Sequence, residues 1–428
     1  MNYFDQLRQE HAAGRGRLAR IADYYDGNHP LPTLPEDASA DLKEIAGIAV
    51  TNYMDTIVHS IAENLNVVSY GGDSRAWDAF RASRMETLQD AVHSSALTFG
   101  ASYVSVLPGA RGPVVRPHSP LEMVALYDDP VTDMWPVAAA TCRRVRTLTG
   151  TGTEEEWSVF TPSAVSIYRG RAGAAANGMR KVGGAKHSLG VVPVVRFVNE
   201  QPMASHLPPR SEIEPLFPIQ RQINLLKFDQ IVAGRFGAFP QKFITGPTLP
   251  EGMEDATKTG PDRVMALEGE SLNVGSFDAA TLEQYIAAEV AATKKLATKS
   301  RVPLSALDNA VSNLSAEAMA ALEIGLMRKV EDRQQSFGTA WSQALWLAEV
   351  AAGGRPAGLS DVQWSDPRSK NPQAQAQAMS GWKAAGVPLG TLMRRFGDFT
   401  EDEIREAQAS SSRLDDMAGE LLAGAGVG

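Results

Sequence analysis

Residues 303–347 read PLSALDNAVSNLSAEAMAALEIGLMRKVEDRQQSFGTAWSQALWL, a short Ser- and Asn-rich loop running into a long amphipathic helix. Ser315 is placed to cap the helix N-terminus, and Glu317 adds an acid to the first turn, where the helix dipole favours negative charge. Met319, Leu322, Leu326, Val330, Phe337, Trp341 and Leu345 recur at spacings of three, four or seven, one face of an α-helix. No proline interrupts the run, and Gly325 and Gly338 are its only weak points. From Ser315 to Val350 such a helix spans roughly 50 Å, longer than a small domain is wide. It is expected to run along or across a large assembly, with neighbouring copies covering part of it. Leu326, Phe337 and Trp341 are its expected core or subunit-interface contacts.

Upstream, a helix is expected over about 279–300, ended by Pro303, and another over about 215–235 with Leu216, Ile219, Ile223, Leu226 and Ile231 on one face. Pro215 and Pro218 suit its first turn, where missing N–H groups cost little. Between the two helices, FPQKFITG and DRVMALEGESLNV are two short strand-like runs around a Gly/Pro loop at 246–261. Residues 1–70 read as helices over about 2–25 and 39–64, joined by the turn-rich DGNHPLPTLPED. A further helix over 74–97 stops near Gly100. From there to about 200 the period becomes that of strands: 102–107, 113–117, 137–146, 156–170 and 191–198. The segment at 169–186 carries five basic residues and no acid, and reads as an exposed hairpin loop. After the long helix and a Gly/Pro break at 353–358, two smaller helices are expected at about 370–385 and 400–422, on either side of GVPLGTLMRRFGDFT.

Several pieces in fixed order carry a family resemblance: YYDGNHPL (24–31), NYMDTIVHSIAENLNV (52–67), SPLEMVALYDDP (119–130), HSLGVVPVVRFVNE (187–200), SEIEPLFPIQRQINLLKFDQIVA (211–233) and VPLSALDNAVSNLSAEAM (302–319). Together they resemble the portal proteins of tailed bacteriophages, in the branch of long-tailed actinobacteriophages. The resemblance implies a helix-rich α+β fold. Its parts would be an α/β wing (1–210), a first stem helix (211–236), a small β-containing clip (237–278) and a second stem helix (279–303). A tunnel loop (304–314), a long spine helix (315–352) and a short helical crown and tail (353–428) would follow. It also implies a homo-oligomeric ring, most often of twelve subunits, at one vertex of the virion capsid, assembled in the host cytoplasm. Double-stranded DNA would be packaged and ejected through its channel. The implied partners are terminase, a head–tail connector, and capsid and scaffold proteins; no cofactor is implied.

Composition is that of an ordinary globular chain: 428 residues, 43% apolar and 21% charged, with the single Cys142 excluding disulfide frameworks and Cys-based zinc sites. The N-terminus lacks the apolar core of a signal peptide and no run is long enough to span a membrane, so a soluble intracellular protein is expected. A net charge of −9 argues against a tight DNA-binding module. It suits a channel through which DNA slides, since dense phosphate contacts would act as a brake.

The candidate chemistry is sparse. No G-x-x-x-x-G-K-[ST] string occurs, so ATP hydrolysis is expected to belong to a partner. Asp128, Asp129 and Asp133 are the densest acidic cluster. Clustered carboxylates could serve a metal-dependent nuclease, but Asp-Asp-Pro is also ordinary turn chemistry. The histidines at 11, 29, 59, 93, 118, 187 and 206 have no metal-type spacing and read as surface or locally hydrogen-bonded residues. Cys142, flanked by Arg143, Arg144 and Arg146, reads as a small buried hydrophobe, and no hydrolase elbow surrounds Ser94, Ser95 or Ser211. No catalytic site is expected. Lys294, Lys295, Lys299 and Arg301 crowd the end of the 279–300 helix, where they either complement its C-terminal dipole or form a cationic ring facing DNA. Asp308, Asn309, Ser312 and Asn313 make a polar loop tip suited to weak contact with passing DNA. The alternatives to a portal are another oligomeric virion protein, such as a capsid or baseplate component, and a nuclease using Asp128 and Asp129.

Overall fold

The computed structural model describes residues 3–146, 153–173, 178–238, 242–246, 264–268, 271, 273–276, 281–307, 316–365, 379–396, 403–407 and 409–410. Helix takes 49% and strand 21% of it, the helix-rich α+β class expected. The chain divides into two compact units, one of residues 1–22, 58–214 and 315–428, the other of 23–57 and 215–314.

The first unit is built on two antiparallel sheets. Strands β2 (Ala101–Gly109), β3 (Gly112–His118) and β9 (Val194–Val198) form one, in the order β3-β2-β9. The other runs β4 (Met123–Leu126), β5 (Ala138–Arg146), β6 (Thr153–Phe160), β7 (Ala164–Arg171), β8 (Arg180–Lys186) in sequence order. One face of this meander packs on helix α1 (Tyr3–Tyr25), through Phe4 and Leu7 against Trp157, Val159 and Met179. The long helix is present as α9, Ala316–Ala351, 36 residues without a break. It packs across β2 and β9, and from Phe337 to Glu349 it is enclosed on almost every side.

Several expected elements are divided. The helix expected over 74–97 is two, α4 (Ser74–Ala82) and α5 (Met85–Phe99), broken where Arg84 turns left-handed at φ 61°. The break frees Ser83 to accept the Val115 N–H of β3 through its Oγ at 3.0 Å, and Met85 enters the core. Gly100 ends α5 at φ +94°, as expected; a Cβ there would lie 2.3 Å from the Pro209 carbonyl oxygen, so only glycine fits. The run at 156–170 is two strands joined by a turn at 161–163, and the 169–186 segment is the β7–β8 hairpin, a paired but exposed strand rather than a loop. Strands β1 (Val67–Tyr70) and β13 (Val362–Trp364), which pair antiparallel, carry no periodicity that the sequence reading used.

In the second unit the helix expected over 39–64 is also two, α2 (Ala40–Ile48) and α3, which starts at Met54 and runs to Ala62. A 3-10 turn (Glu214–Leu216) leads into α6 (Phe217–Ala238), and α7 spans Glu283–Ser300. Between them, three strands rather than two form a small mixed sheet. In it β10 (Lys242–Gly246) lies parallel to β11 (Val264–Glu268) and antiparallel to β12 (Asn273–Ser276). The expected loop at 304–314 opens with one helical turn, α8 (Leu304–Leu307). At the C-terminus residues 379–384 and 403–407 are helical, and the connection expected at 386–400 contains a third helix, Leu389–Phe396. Among the described residues no helix is long and apolar enough to cross a membrane.

Candidate functional site

Three of the sequence pieces that carried the resemblance meet in the second unit. His29 stacks on Tyr24, and its Nε2 lies 2.9 Å from the Tyr24 carbonyl oxygen, with its Nδ1 2.9 Å from Asn224 Nδ2 of α6. Gln220, one turn earlier on α6, donates to the Thr51 carbonyl at 2.6 Å and accepts the Tyr53 N–H at 3.1 Å. Asn224 Oδ1 accepts the Thr51 N–H, and Asn52 donates to the Tyr25 carbonyl. Every backbone group freed by the break between α2 and α3 that these bonds reach is thereby satisfied by a buried side chain, which is what a chain break inside a core demands. Tyr24 stacks face to face on Phe217, ring centres 3.8 Å apart, at the start of α6. Burial, opposed by the hydrogen bonds of Tyr24 and Asn52, holds the His29 pKa below its ordinary value.

Helices α6 and α7 pack as a pair, with Ala292, Thr293, Leu296, Ala297 and Ser300 as the buried side of α7. Lys227 and Glu289 pair across them at 3.4 Å. Toward the N-terminal end of α7, Leu282, Ile286 and Val290 recur every fourth residue and are 38%, 46% and 38% exposed, an apolar stripe that continues the buried side of the helix, with Leu282 beside Gly234 of α6. The four expected cations are all exposed at the C-terminal end of α7. Lys299 donates to the Pro215 carbonyl at 3.0 Å, and Arg301 caps the helix in the left-handed region at φ 58°. Asp308, Asn309, Ser312, Asn313 and the Ser315 cap lie outside the described residues, as do the side chains of Glu317, Met319 and Leu322.

In the first unit, Leu326, Phe337 and Trp341 are buried within the chain itself, the last two at 0% exposure. Phe80, His93 and Phe197 pack round Trp341. Its indole N–H donates to His93 Nε2 at 2.8 Å, which leaves the His93 Nδ1–H to donate to the Leu65 carbonyl at 3.1 Å. Burial drives the His93 pKa down to about 3, against the help of that carbonyl. His93 is thus a core residue with partners far away in sequence, not the surface or locally bonded histidine expected. Gly338, one of the two weak points, has a reason: a Cβ there would meet Trp364 Nε1 at 3.2 Å.

The same helix carries an ion cluster. Glu212, just before α6, accepts from Lys329 Nζ at 2.6 Å and from Arg333 at 2.9 Å, with side-chain exposures of 9%, 10% and 13%. Asn199 donates to the Arg210 carbonyl beside it. Burial would raise the Glu212 pKa, but the charges and hydrogen bonds of Lys329 and Arg333 outweigh it and the net direction is down. Sequence reading missed this cluster. Its signal was two cations four apart, next to Leu326 and Val330 on the apolar stripe, a position that requires a buried acid opposite.

Asp128, Asp129 and Asp133 sit in a hydrogen-bonded turn. Asp129 accepts from the Val131 N–H and the Thr132 hydroxyl, and Asp133 Oδ2 accepts the Asp129 N–H at 2.7 Å. Those bonds, the Thr132 hydroxyl first, hold the exposed Asp129 carboxyl below its ordinary pKa. Among the described residues no group of three or more His, Cys, Asp or Glu is arranged to hold a metal ion. Cys142 is partly buried against the α1 face, and burial lifts its thiol to about 11 despite Arg8, Arg15 and Arg144. At that value it is protonated and unreactive near neutral pH.

The family model described as "Phage portal protein, SPP1 Gp6-like" matches residues 5–416. The portal protein of Mycobacterium phage L5 is 25% identical over 407 residues, 88% of this chain and 80% of its own length. That of Mycobacterium phage D29 is 31% identical over 222 residues, 49% of this chain and 45% of its own. Among solved structures, a chain from the virion of a native gene transfer agent particle aligns over 87% of this chain and 94% of its own, at 16% identity and a TM-score of 0.45.

Proposed function

The chain belongs to the SPP1 Gp6-like family of phage portal proteins, and on that premise we propose that its copies, twelve in number, close into a ring at one capsid vertex. The observation that carries the reading is the reach of the family match, residues 5–416, which takes in both compact units. In this reading residues 1–210 serve as the wing. Helices α6 and α7 are the stem, the β10–β12 sheet is the clip, α9 is the spine, and the segment after Gly353 is a short crown. Double-stranded DNA passes through the channel during packaging and ejection. Terminase docks on the clip and later gives way to a head–tail connector, while capsid and scaffold proteins surround the wing.

The stripe of Leu282, Ile286 and Val290 supports self-association through the stem, since exposed apolar side chains repeating at helical spacing are covered at low cost by a neighbouring copy. Lys294, Lys295, Lys299 and Arg301 line the passage near the base of the tunnel loop, with Asp308, Asn309, Ser312 and Asn313 at its narrowest part. Net charge −9 keeps phosphate contacts sparse, so DNA slides. The role is structural and not catalytic: the Asp129 and Asp133 carboxylates are spent on their turn. Negative-stain imaging of the purified protein is expected to show annuli with a central hole. A stable monomer at micromolar concentration under assembly-permissive conditions would overturn the proposal.

A further inference from the structure

The far end of the five-stranded sheet carries charge that the channel does not use. Strand register aligns Arg143, Glu156, Arg169 and Arg180 in one row across β5, β6, β7 and β8, and the next row of the same face holds Val145, Glu154 and Arg171. The opposite face, with Trp157 and Tyr168, is the one covered by α1. Arg169 is committed to Glu156 at 2.6 Å. Among the described residues Arg116, Arg143, Arg171 and Arg180 make no ion pair. At the β3 side, Arg116 and Arg143 lie near enough to add to the burial that lowers the His118 pKa. At this end of the face the Arg169–Glu156 pair leaves Arg143, Arg171 and Arg180 against the single acid Glu154, so a chain of net charge −9 carries a local positive excess there.

At the other end of the row lies β8. It pairs only with β7 among the described strands, and it is exposed nearly throughout, with Val182 at 42%. Its outer edge offers a row of backbone N–H and C=O groups. Lys181 and Lys186 can be read as guards against aggregation, which is how proteins blunt open edges. Guarding does not explain arginines on the interior strands β5 and β7, whose backbone is already paired.

We infer that β8 is a docking edge for an acidic, extended segment of another protein, which adds as a sixth strand with its carboxylates on the side of Arg180 and Arg171. Strand addition supplies the backbone hydrogen bonds, and alternate side chains supply the selectivity. Arg116 and Arg143, farther from the edge, steer the approach and set its salt dependence. The inference rests on this sheet alone and not on the ring reading, so either can fail without the other.

The test uses the full-length chain and a short labelled peptide of alternating Glu and Val, with the Lys-Val counterpart and a short DNA duplex as comparators. Binding of the acidic peptide alone is expected, with slowed amide exchange across Arg180–Lys186. Arg171→Glu with Arg180→Glu is expected to weaken it at least about tenfold. If that pair perturbs folding, Arg171→Gln with Arg180→Gln removes the charge without adding acid and keeps the test decisive. Binding of the duplex with no change in β8 exchange would reassign the face to nucleic acid and overturn the inference. Equal peptide binding to the variants, or none to the parent chain, would overturn it as well and leave a guarded edge.

Discussion

Replacing Glu212 with Gln is expected to be among the most damaging single changes in the first unit that leave the aromatic core untouched. Glu212 holds two cations, Lys329 at 2.6 Å and Arg333 at 2.9 Å, and all three side chains are at most 13% exposed. Glutamine keeps the shape but leaves two positive charges facing each other on successive turns of α9 with no acid between them. Breaking a buried pair in this way costs about 3–5 kcal/mol, because the abandoned charge stays desolvated. With a urea slope near 3 kcal/mol/M, the unfolding midpoint of this unit falls by about 1–1.7 M at fixed subunit concentration. Replacing all three by apolar residues, Glu212→Leu with Lys329→Met and Arg333→Met, is expected to recover most of the loss, since a buried triad is seldom more stable than a well-packed apolar one. The pH dependence has a fixed sign. Glu212 has a folded pKa below its unfolded value, so its contribution is complete above the ordinary carboxylate value of 4.5 and fades as pH falls through the lower folded value. A Glu212→Gln midpoint within about 0.2 M of the parent would refute the reasoning, as would a triple apolar variant no better than the single.

Trp341→Phe removes the donor to buried His93 Nε2, and is expected to cost about 2–4 kcal/mol in urea unfolding; a loss under about 1 kcal/mol would mean that water or another donor replaces the indole. Because the folded His93 pKa of about 3 lies below the unfolded 6.5, the unfolded chain takes the proton first, and stability drops as pH falls from about 6.5 toward 3. His93→Gln should flatten that slope, and an unchanged slope would assign it to other groups. Ile286→Asp with Val290→Asp is expected to leave the circular-dichroism spectrum intact while rings fail to form in negative stain; intact rings would place the α7 stripe away from the subunit contact. Ser312→Trp with Asn309→Trp is expected to permit assembly but block packaging or DNA retention, and packaging at the parent yield would move the loop off the DNA path. Deleting 248–260 is expected to abolish terminase or connector binding with the first unit still folded, and normal terminase binding would contradict the clip assignment.

Sequence reading succeeded where a local period decides the element. The 36-residue α9, the stop of α5 at Gly100 and strands β2, β3, β5 and β9 follow from spacing and from glycine, whereas β4 was not expected and β8 was expected as a loop. It failed where a distant side chain decides. The local mark of the break at 49–53 that the fold uses is Asn52, whose side chain accepts the Met54 N–H at the start of α3. The helix stops there because Gln220 and Asn224, some 170 residues later, satisfy the backbone of Thr51 and Tyr53 (sequence separations of 173 and 167). The Ser83–Arg84 break depends likewise on the Val115 N–H. Strands β1 and β13 lie nearly 300 residues apart in sequence and each is too short to show a period. Of the site, the cations at the end of α7 were legible as a cluster. The Glu212 triad was not, because pairing two helix cations with one acid more than a hundred residues upstream needs the fold itself.

The long helix exceeds the width of a small domain, and its two halves meet that demand differently. Between Glu323 and Ser336 the chain carries six charged residues, and between Phe337 and Val350 only Glu349. A helix charged on one side packs on one face, and one with a single charge over four turns is enclosed. The structure follows that division: Ile324 is 50% exposed, whereas Phe337, Trp341, Leu347 and Ala348 are fully buried by Phe80, Phe197 and the rest of the chain's own core. The subunit therefore meets the demand of the second half by itself. Among the described residues, what the first half leaves for a neighbour is Ile324 with the charged Arg328, Glu331 and Asp332, whose salt-sensitive contacts are worth little each. A run of exposed apolar side chains at helical spacing lies instead on α7, at Leu282, Ile286 and Val290. Length points to an assembly, and in the ring proposed above the charge density along this helix assigns the driving contact to α7 rather than to the second half of α9.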